Sequence, residues 1–339
     1  MLLLDEKHKE LAEWLAAELS EVEVRFAVEL HSDITPVNDL VRHLEQYRGK
    51  MLRPTLLLLI GRAVTSGGAP GSSANDQRIA DAHRTLATVV EMAHMATLVH
   101  DDILDEAEVR RCTTTVNALR GNEAAVMLGD YLISHAYHLC SSLDSQTASR
   151  LIAAATDAVC EGELLQLSNR YNWSLDEHTY FEIIRRKTGA LVGVACRLGA
   201  MFSGADKPAC EAMSRFGIEL GAAFQIIDDV LDLVGNQQVV GKSLGKDLEK
   251  GKLTLPLIHT LETAGPADRQ KLVNLLRADD HDRAIEVGRI IAASPAIDHA
   301  KRRAAAIIAT AKAQLQVLPA GDMRDLLASM ADAVLTRQA

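Results

Sequence analysis

Aromatic residues are scarce in this sequence, at 4% of the chain, and no proline occurs between Pro70 and Pro208. The first scarcity excludes a core built on ring packing and leaves alanine, leucine and valine to fill it. The second leaves a long stretch without the residue that breaks helices most strongly. Both favour helix. Long hydrophobic runs are missing as well: the longest near the start is Leu56–Ile60, whereas a membrane-spanning helix needs about 20 apolar residues. There is no basic excess. A net charge of −10 argues against nucleic acid as a partner, although a bound cation or a local basic cluster still allows an anionic substrate. The five cysteines (Cys112, Cys140, Cys160, Cys196, Cys210) are odd in number and form no CxxC pair. This excludes a disulfide framework and a zinc site and points to a reducing compartment. The opening residues, MLLLDEKHKE, lack the basic start, apolar stretch and cleavage site of a signal peptide. A cytoplasmic location is therefore expected.

What is present is a soluble composition, 48% apolar and 24% charged, with apolar residues recurring at three and four positions. That period predicts amphipathic helices. Breaks fall at Ser66–Asp76, near Gly121, at Ser142–Thr147, Asn172–His178 and Ser203–Pro208, and after Pro256 near Gly265, Asp279, Pro295 and Leu318–Asp322. SLDE at Ser174–Glu177 reads as a capping box. No strand alternation stands out. The expected architecture is all-α: one domain over residues 1–339, roughly a dozen helices of three to four turns, with the core motifs in 49–256 and C-terminal helices in 257–339.

Within this apolar background LVHDDILDEAEVRR (Leu98–Arg111) concentrates charge. Asp101 and Asp105 share a helix face, with Asp102 beside them. Like charges at this spacing oppose helix formation, and burial raises the cost sharply unless a cation is bound. One DDxxD alone would read as a solvated helix end. A second, Asp228, Asp229 and Asp232 in AFQIIDDVLDLVG, again ends an apolar helix. Two such helices facing each other would present six carboxylates to a shared cavity. All-oxygen donors suit Mg²⁺, which takes one or two carboxylates and completes its shell with water and substrate phosphates. Basic residues complement this reading: Lys50 and Arg53, spaced to share a helix face, Arg110 and Arg111, Lys187 with Thr188, and Lys242 and Lys252 in a lysine-rich loop over Gly235–Lys252. Lysine neutralises phosphate charge and arginine grips its oxygens. No Ser/His/Asp or Cys/His nucleophile arrangement is evident. A purely structural bundle leaves the paired motifs unexplained.

The motifs GKMLRP, DDILDEAEVRR, RRKTG, FQIIDDVLD and GKSLGKDLEKGKLTLP, in this order over Gly49–Pro256, resemble those of the trans-isoprenyl diphosphate synthases (polyprenyl synthetases). The resemblance implies a large helical bundle of the isoprenoid synthase type with a central active-site cavity. It implies Mg²⁺-dependent condensation of isopentenyl diphosphate with an allylic diphosphate. Asp101, Asp102 and Asp105 would serve two Mg²⁺, and Asp228, Asp229 and Asp232 a third. Arg110, Lys187, Thr188, Gln225, Lys242 and Lys252 would contact the allylic diphosphate, and Lys50, Arg53, His94 and Arg111 the isopentenyl diphosphate. Asp101, Asp105, Asp228, Lys187 and Lys242 would carry the catalysis. His94 also forms ExxH with Glu91, but a di-iron bundle needs a second ExxH and two more glutamates. A terpene cyclase would not need Lys50, Arg53 and Arg111, and non-catalytic subunits of heteromeric synthases have eroded aspartate motifs. Where the family often has glycine after the paired arginines, this chain has Cys112.

Short-chain members carry aromatics at the positions of Ala96 and Thr97. Small residues there imply an open tunnel and a long all-trans product, octaprenyl as the single best length, for quinone side chains; geranylgeranyl or farnesyl diphosphate is the alternative. Leu86, Met127 or Tyr131 would set the tunnel floor. The family also implies a homodimer, and a long product implies transient membrane contact at release.

Overall fold

The structure is a computed structural model and describes residues 9–45, 49–65, 73–234, 245–278 and 283–337. The described chain is almost wholly helical. Its helices are α1 (Lys9–Glu29), α2 (Thr35–Glu45), α3 (Leu52–Thr65), α4 (Ser73–Leu104), α5 (Val116–Arg120), α6 (Asn122–Ser141), α7 (Gln146–Ser168) and α8 (Glu177–Ile184). A single π-helical turn, Arg185–Gly189, follows, then α9 (Ala190–Phe202), α10 (Lys207–Val234), α11 (Lys246–Glu249), α12 (Leu255–Thr263), α13 (Pro266–Arg277), α14 (Arg283–Ala292), α15 (Ala296–Gln314) and α16 (Asp322–Leu335). These exceed the expected dozen because short segments such as α5 and α11 form helical turns too brief to show a period. Among the described residues no helix is long and apolar enough to cross a membrane, and none of the five cysteines is in a disulfide.

Two compact units divide the chain. The first comprises Met1–Thr156, Leu191–Gly217 and Gln314–Leu327; the second comprises Asp157–Ala190, Ile218–Ala313 and Ala328–Ala339. In the first, α4 packs against α1, α3 and α6. Leu56–Ile60 of α3 are buried on every side, as expected of a helix apolar all round. Arg84 of α4 donates through Nε and Nη2 to Glu18 of α1, at 2.6 and 3.0 Å. In the second, α8 packs against α12 and the π-helical turn, and Leu255, Leu257 and Ile258 of α12 are buried.

Three local expectations change. Helix α8 is capped by Asp176, whose carboxylate accepts from the Thr179 N–H at 2.7 Å, so Ser174 caps nothing: an aspartate nearer the first helical turn reaches its orphan donor first. Lys50 does not share a helix face with Arg53. It precedes α3, and Met51 turns the chain with φ 51° before the helix starts at Leu52. A two-stranded antiparallel hairpin, Val109–Arg110 with Thr113–Thr114, follows the first aspartate set. Its two turn residues, Arg111 (φ 50°) and Cys112 (φ 63°), carry the positive φ that a type I′ turn needs at both centres.

Candidate active site

In the first unit the first aspartate set ends α4. Asp105 lies just past the helix, its N–H bonded to the Asp101 carbonyl at 2.8 Å, which keeps the two side chains on one face. Both are half-buried. Asp102 differs: it is 1% exposed, and its Oδ1 accepts from Arg110 Nε at 2.8 Å and lies 2.7 Å from Arg110 Nη2. The hairpin that begins at Val109 brings Arg110 back onto this carboxylate. Arg111, on the turn, is exposed, and its guanidinium occupies the space over Gly49, next to Lys50.

The same unit gathers Arg53, Glu91, His94, Arg110 and Arg111 into one electrostatic cluster. Burial, then the Arg111 charge, lowers the Arg53 guanidinium to about 10, against the pull of the buried Glu91. Arg53 Nε is sealed from solvent and has no hydrogen-bond partner among the described residues. Burial holds the His94 imidazole well below its ordinary range, and the Arg53, Arg111 and Arg110 charges push the same way. His94 is therefore neutral at pH 7, a donor and acceptor rather than a cation. A half-buried guanidinium with its Nε unpartnered, beside a neutral histidine, suits an anion with several oxygens. Two residues along α4 from His94, Ala96 is buried, and the Thr97 hydroxyl donates to the His94 carbonyl at 2.7 Å. Leu86 is fully buried, and the Tyr131 hydroxyl donates to the Leu30 carbonyl at 3.2 Å. Met127 is 67% exposed, which removes it as a tunnel floor within one chain.

In the second unit Lys187 and Thr188 sit on the π-helical turn, a local widening common at functional sites. Lys187 Nζ donates to Gln166 Oε1 at 3.0 Å and pairs with the buried Glu163. The Thr188 hydroxyl donates to Gln225 Oε1 at 2.9 Å, and Gln225 Nε2 donates to Asp229 Oδ1 at 2.8 Å. Tyr180 donates to Asp229 Oδ2 at 2.6 Å. Asp229 is 5% exposed. Burial, then Asp247, drives its carboxyl well above the usual range, opposed by the Tyr180 and Gln225 hydrogen bonds. Asp228 and Asp232 are half-buried. Arg337 lies 3.9 Å from Asp228 and 3.9 Å over the Phe224 ring. Lys252 is 7% exposed; its N–H donates to the Asp247 carbonyl at 2.8 Å, and its Nζ lies 4.0 Å from that carboxylate. Asp247 in turn donates its N–H to Asp232 Oδ2 at 3.4 Å. Lys242 lies outside the described residues.

Both motifs thus share a design: the second aspartate is buried and tied to protein donors, and the first and last are more open. Among the described residues no three metal-ligating side chains form a closed cage. The open pairs are hard oxygen donors and fit Mg²⁺, which leaves most of its shell to water and phosphate. Sequence reasoning missed Glu163, Gln166, Tyr180, Asp247 and Arg337. Asp247 was visible inside the lysine-rich segment. Glu163 and Gln166 carried only an i, i+3 spacing, and Arg337 had no local signal at all.

A family model described as polyprenyl synthetase matches residues 35–293. A short chain isoprenyl diphosphate synthase of Methanothermobacter thermautotrophicus is 34% identical over 329 residues, 95% of this chain and 96% of that protein. The octaprenyl diphosphate synthase of Escherichia coli is 31% identical over 330 residues, 97% and 98% of the two chains. A polyprenyl synthase from Caulobacter crescentus, crystallised with calcium and isoprenyl diphosphate, superposes with a TM-score of 0.88 at 31% identity, covering 98% of each chain. With the motifs in order and the match running through both aspartate sets, the chain belongs to the polyprenyl synthetase family of prenyltransferases.

Proposed function

We propose that the chain condenses isopentenyl diphosphate with an allylic diphosphate to make a long all-trans polyprenyl diphosphate, with octaprenyl the best single length. The observation that carries this reading is the doubled aspartate design, each set accompanied by its own cluster of basic and amide side chains. Asp101 and Asp105, with Asp102 anchored behind them, and Asp228, with Asp229 and Asp232, would hold three Mg²⁺. When bound, Mg²⁺ neutralises the charge that develops on the pyrophosphate leaving group.

The chain's own residues divide the remaining work. Arg110, Lys187, Thr188, Gln225, Lys242 and Lys252 bind the allylic diphosphate, and the lysines offset leaving-group charge as the C–O bond breaks. Lys50, Arg53, His94 and Arg111 orient isopentenyl diphosphate so that its double bond attacks the allylic cation. The proton is then lost to the released pyrophosphate, so no protein nucleophile is required. Apolar walls exclude the water that would quench the cation. Ala96 and Thr97 leave room for a growing tail, which supports the long product. A homodimer in the cytoplasm, touching the membrane only to release product, completes the reading.

Incubating the purified chain with farnesyl diphosphate, isopentenyl diphosphate and Mg²⁺ and sizing the products tests it. Mainly C15 or C20 material overturns the long-chain assignment in favour of a farnesyl or geranylgeranyl synthase. No product at all from the wild type favours a non-catalytic subunit. Activity lost in Asp101→Ala and Asp228→Ala supports the two metal sets.

A further inference from the structure

Asp229 is the most enclosed carboxylate of the second set, and both of its oxygens are taken by protein donors. Gln225 Nε2 holds Oδ1 at 2.8 Å, and the Tyr180 hydroxyl holds Oδ2 at 2.6 Å. The Gln225 amide turns its nitrogen to Asp229 and its oxygen to Thr188, whose hydroxyl donates to it at 2.9 Å. Asp229 thus anchors a chain of bonds that runs through Gln225 to Thr188. Tyr180 itself is fixed: it is 3% exposed, it stands on the short helix α8 capped by Asp176, and its ring meets Phe181 edge-on at 5.5 Å. In the first set the corresponding second aspartate, Asp102, is held by the Arg110 guanidinium. In the second set a neutral phenol does the holding.

We propose that Tyr180 is a positioning residue for diphosphate binding: by fixing Asp229 it fixes the Gln225 amide and through it the Thr188 hydroxyl. This rests on the assignment of Thr188 and Gln225 to the allylic diphosphate. Without the hydroxyl, Oδ2 loses its donor, and Asp229 can rotate and release Gln225.

The test is Tyr180→Phe in the full chain, which removes one oxygen and keeps the ring. Leaving a buried hydrogen-bonding group unsatisfied corresponds to roughly a 10- to 100-fold change in an equilibrium. The affinity for inorganic pyrophosphate in the presence of Mg²⁺, read by calorimetry, should weaken by about tenfold or more, and KM for the allylic substrate should rise. KM for isopentenyl diphosphate should stay within about twofold, because Arg53 and His94 are untouched by this network. Unchanged pyrophosphate affinity in a folded variant, or equal loss for both substrates, overturns the proposal. If the phenylalanine variant does not fold, site-specific 3-fluorotyrosine at position 180 supplies a stronger donor in nearly the same volume. A shifted pyrophosphate affinity then supports the role, and an unshifted one overturns it. A wild type that makes no product, yet whose pyrophosphate affinity still falls in Tyr180→Phe, supports the positioning role while counting against the prenyltransferase reading.

Discussion

Single residues in the first unit carry burial costs that set how stability responds to pH and to substitution. His94 is neutral in the fold, whereas an unfolded chain protonates it near its ordinary value of 6.5. Below that pH the unfolded state binds the extra proton, so stability falls as pH falls. Thermal unfolding of the wild type should therefore lose ground from about pH 7 to pH 5.5, and His94→Gln should flatten the curve; parallel curves would show that His94 is not the group responsible. Asp102 is paired with Arg110. Removing the Arg110 guanidinium takes a cationic partner from a buried carboxylate, a loss of about 3–5 kcal/mol for pairs of this kind. Denaturant unfolding of Arg110→Ala should show a loss of that size, and a change under about 1 kcal/mol would mean that Asp102 has other adequate support. Ala96→Tyr, placed on the buried face of α4, should shorten the product, and an unaltered distribution would count against the tunnel.

At the scale of elements, α4 and α10 both carry three aspartates in or just past their last turns, where the helix dipole is already negative. Their sequences therefore place charge where the isolated protein is weakened by it. Asp101→Asn should raise the stability of the ligand-free chain by about 0.3–1 kcal/mol while lowering turnover by roughly 100-fold or more. A variant that loses both, read from the same unfolding and rate assays, would identify Asp101 as a structural residue. The π-helical turn shows a second element-scale device. A methyl at Gly162 would sit 2.7 Å from the Lys187 nitrogen, and one at Gly221 would sit 2.9 Å from the Gly189 Cα. Bare backbone at these two points lets α7 and α10 close on the turn that presents Lys187 and Thr188. Gly221→Ala should cost about 1–3 kcal/mol by overpacking and weaken pyrophosphate binding; full stability with normal binding would show that the turn has room to move. The hairpin after the first set keeps its shape without glycine, Arg111 and Cys112 both adopting positive φ.

For the whole molecule, folding brings Arg337, near the end of the sequence, onto Phe224 and towards Asp228. Half-buried pairs at 3.9 Å contribute little, so Arg337→Met should reduce turnover only by roughly two- to fivefold; an unchanged rate would separate it from the site. Much of this protein was legible in one dimension. Helical period and proline spacing specify an all-α chain because both act within a few residues. The DDxxD pairs and the lysine-rich segment announce themselves because metal and phosphate chemistry requires those side chains at helix spacing. The placement of Lys50 ahead of α3 escaped the sequence, since the backbone turns at Met51, a residue with no turn preference. Equally, nothing in the spelling of DDxxD says that its second aspartate is the buried one. Sequence determined which groups are available and on which helices they stand. Tertiary packing alone decided that Asp102 meets Arg110, that Asp229 meets Tyr180 and Gln225, and that Lys187 meets Glu163, because a hydrogen bond depends on distances between helices that no local pattern encodes.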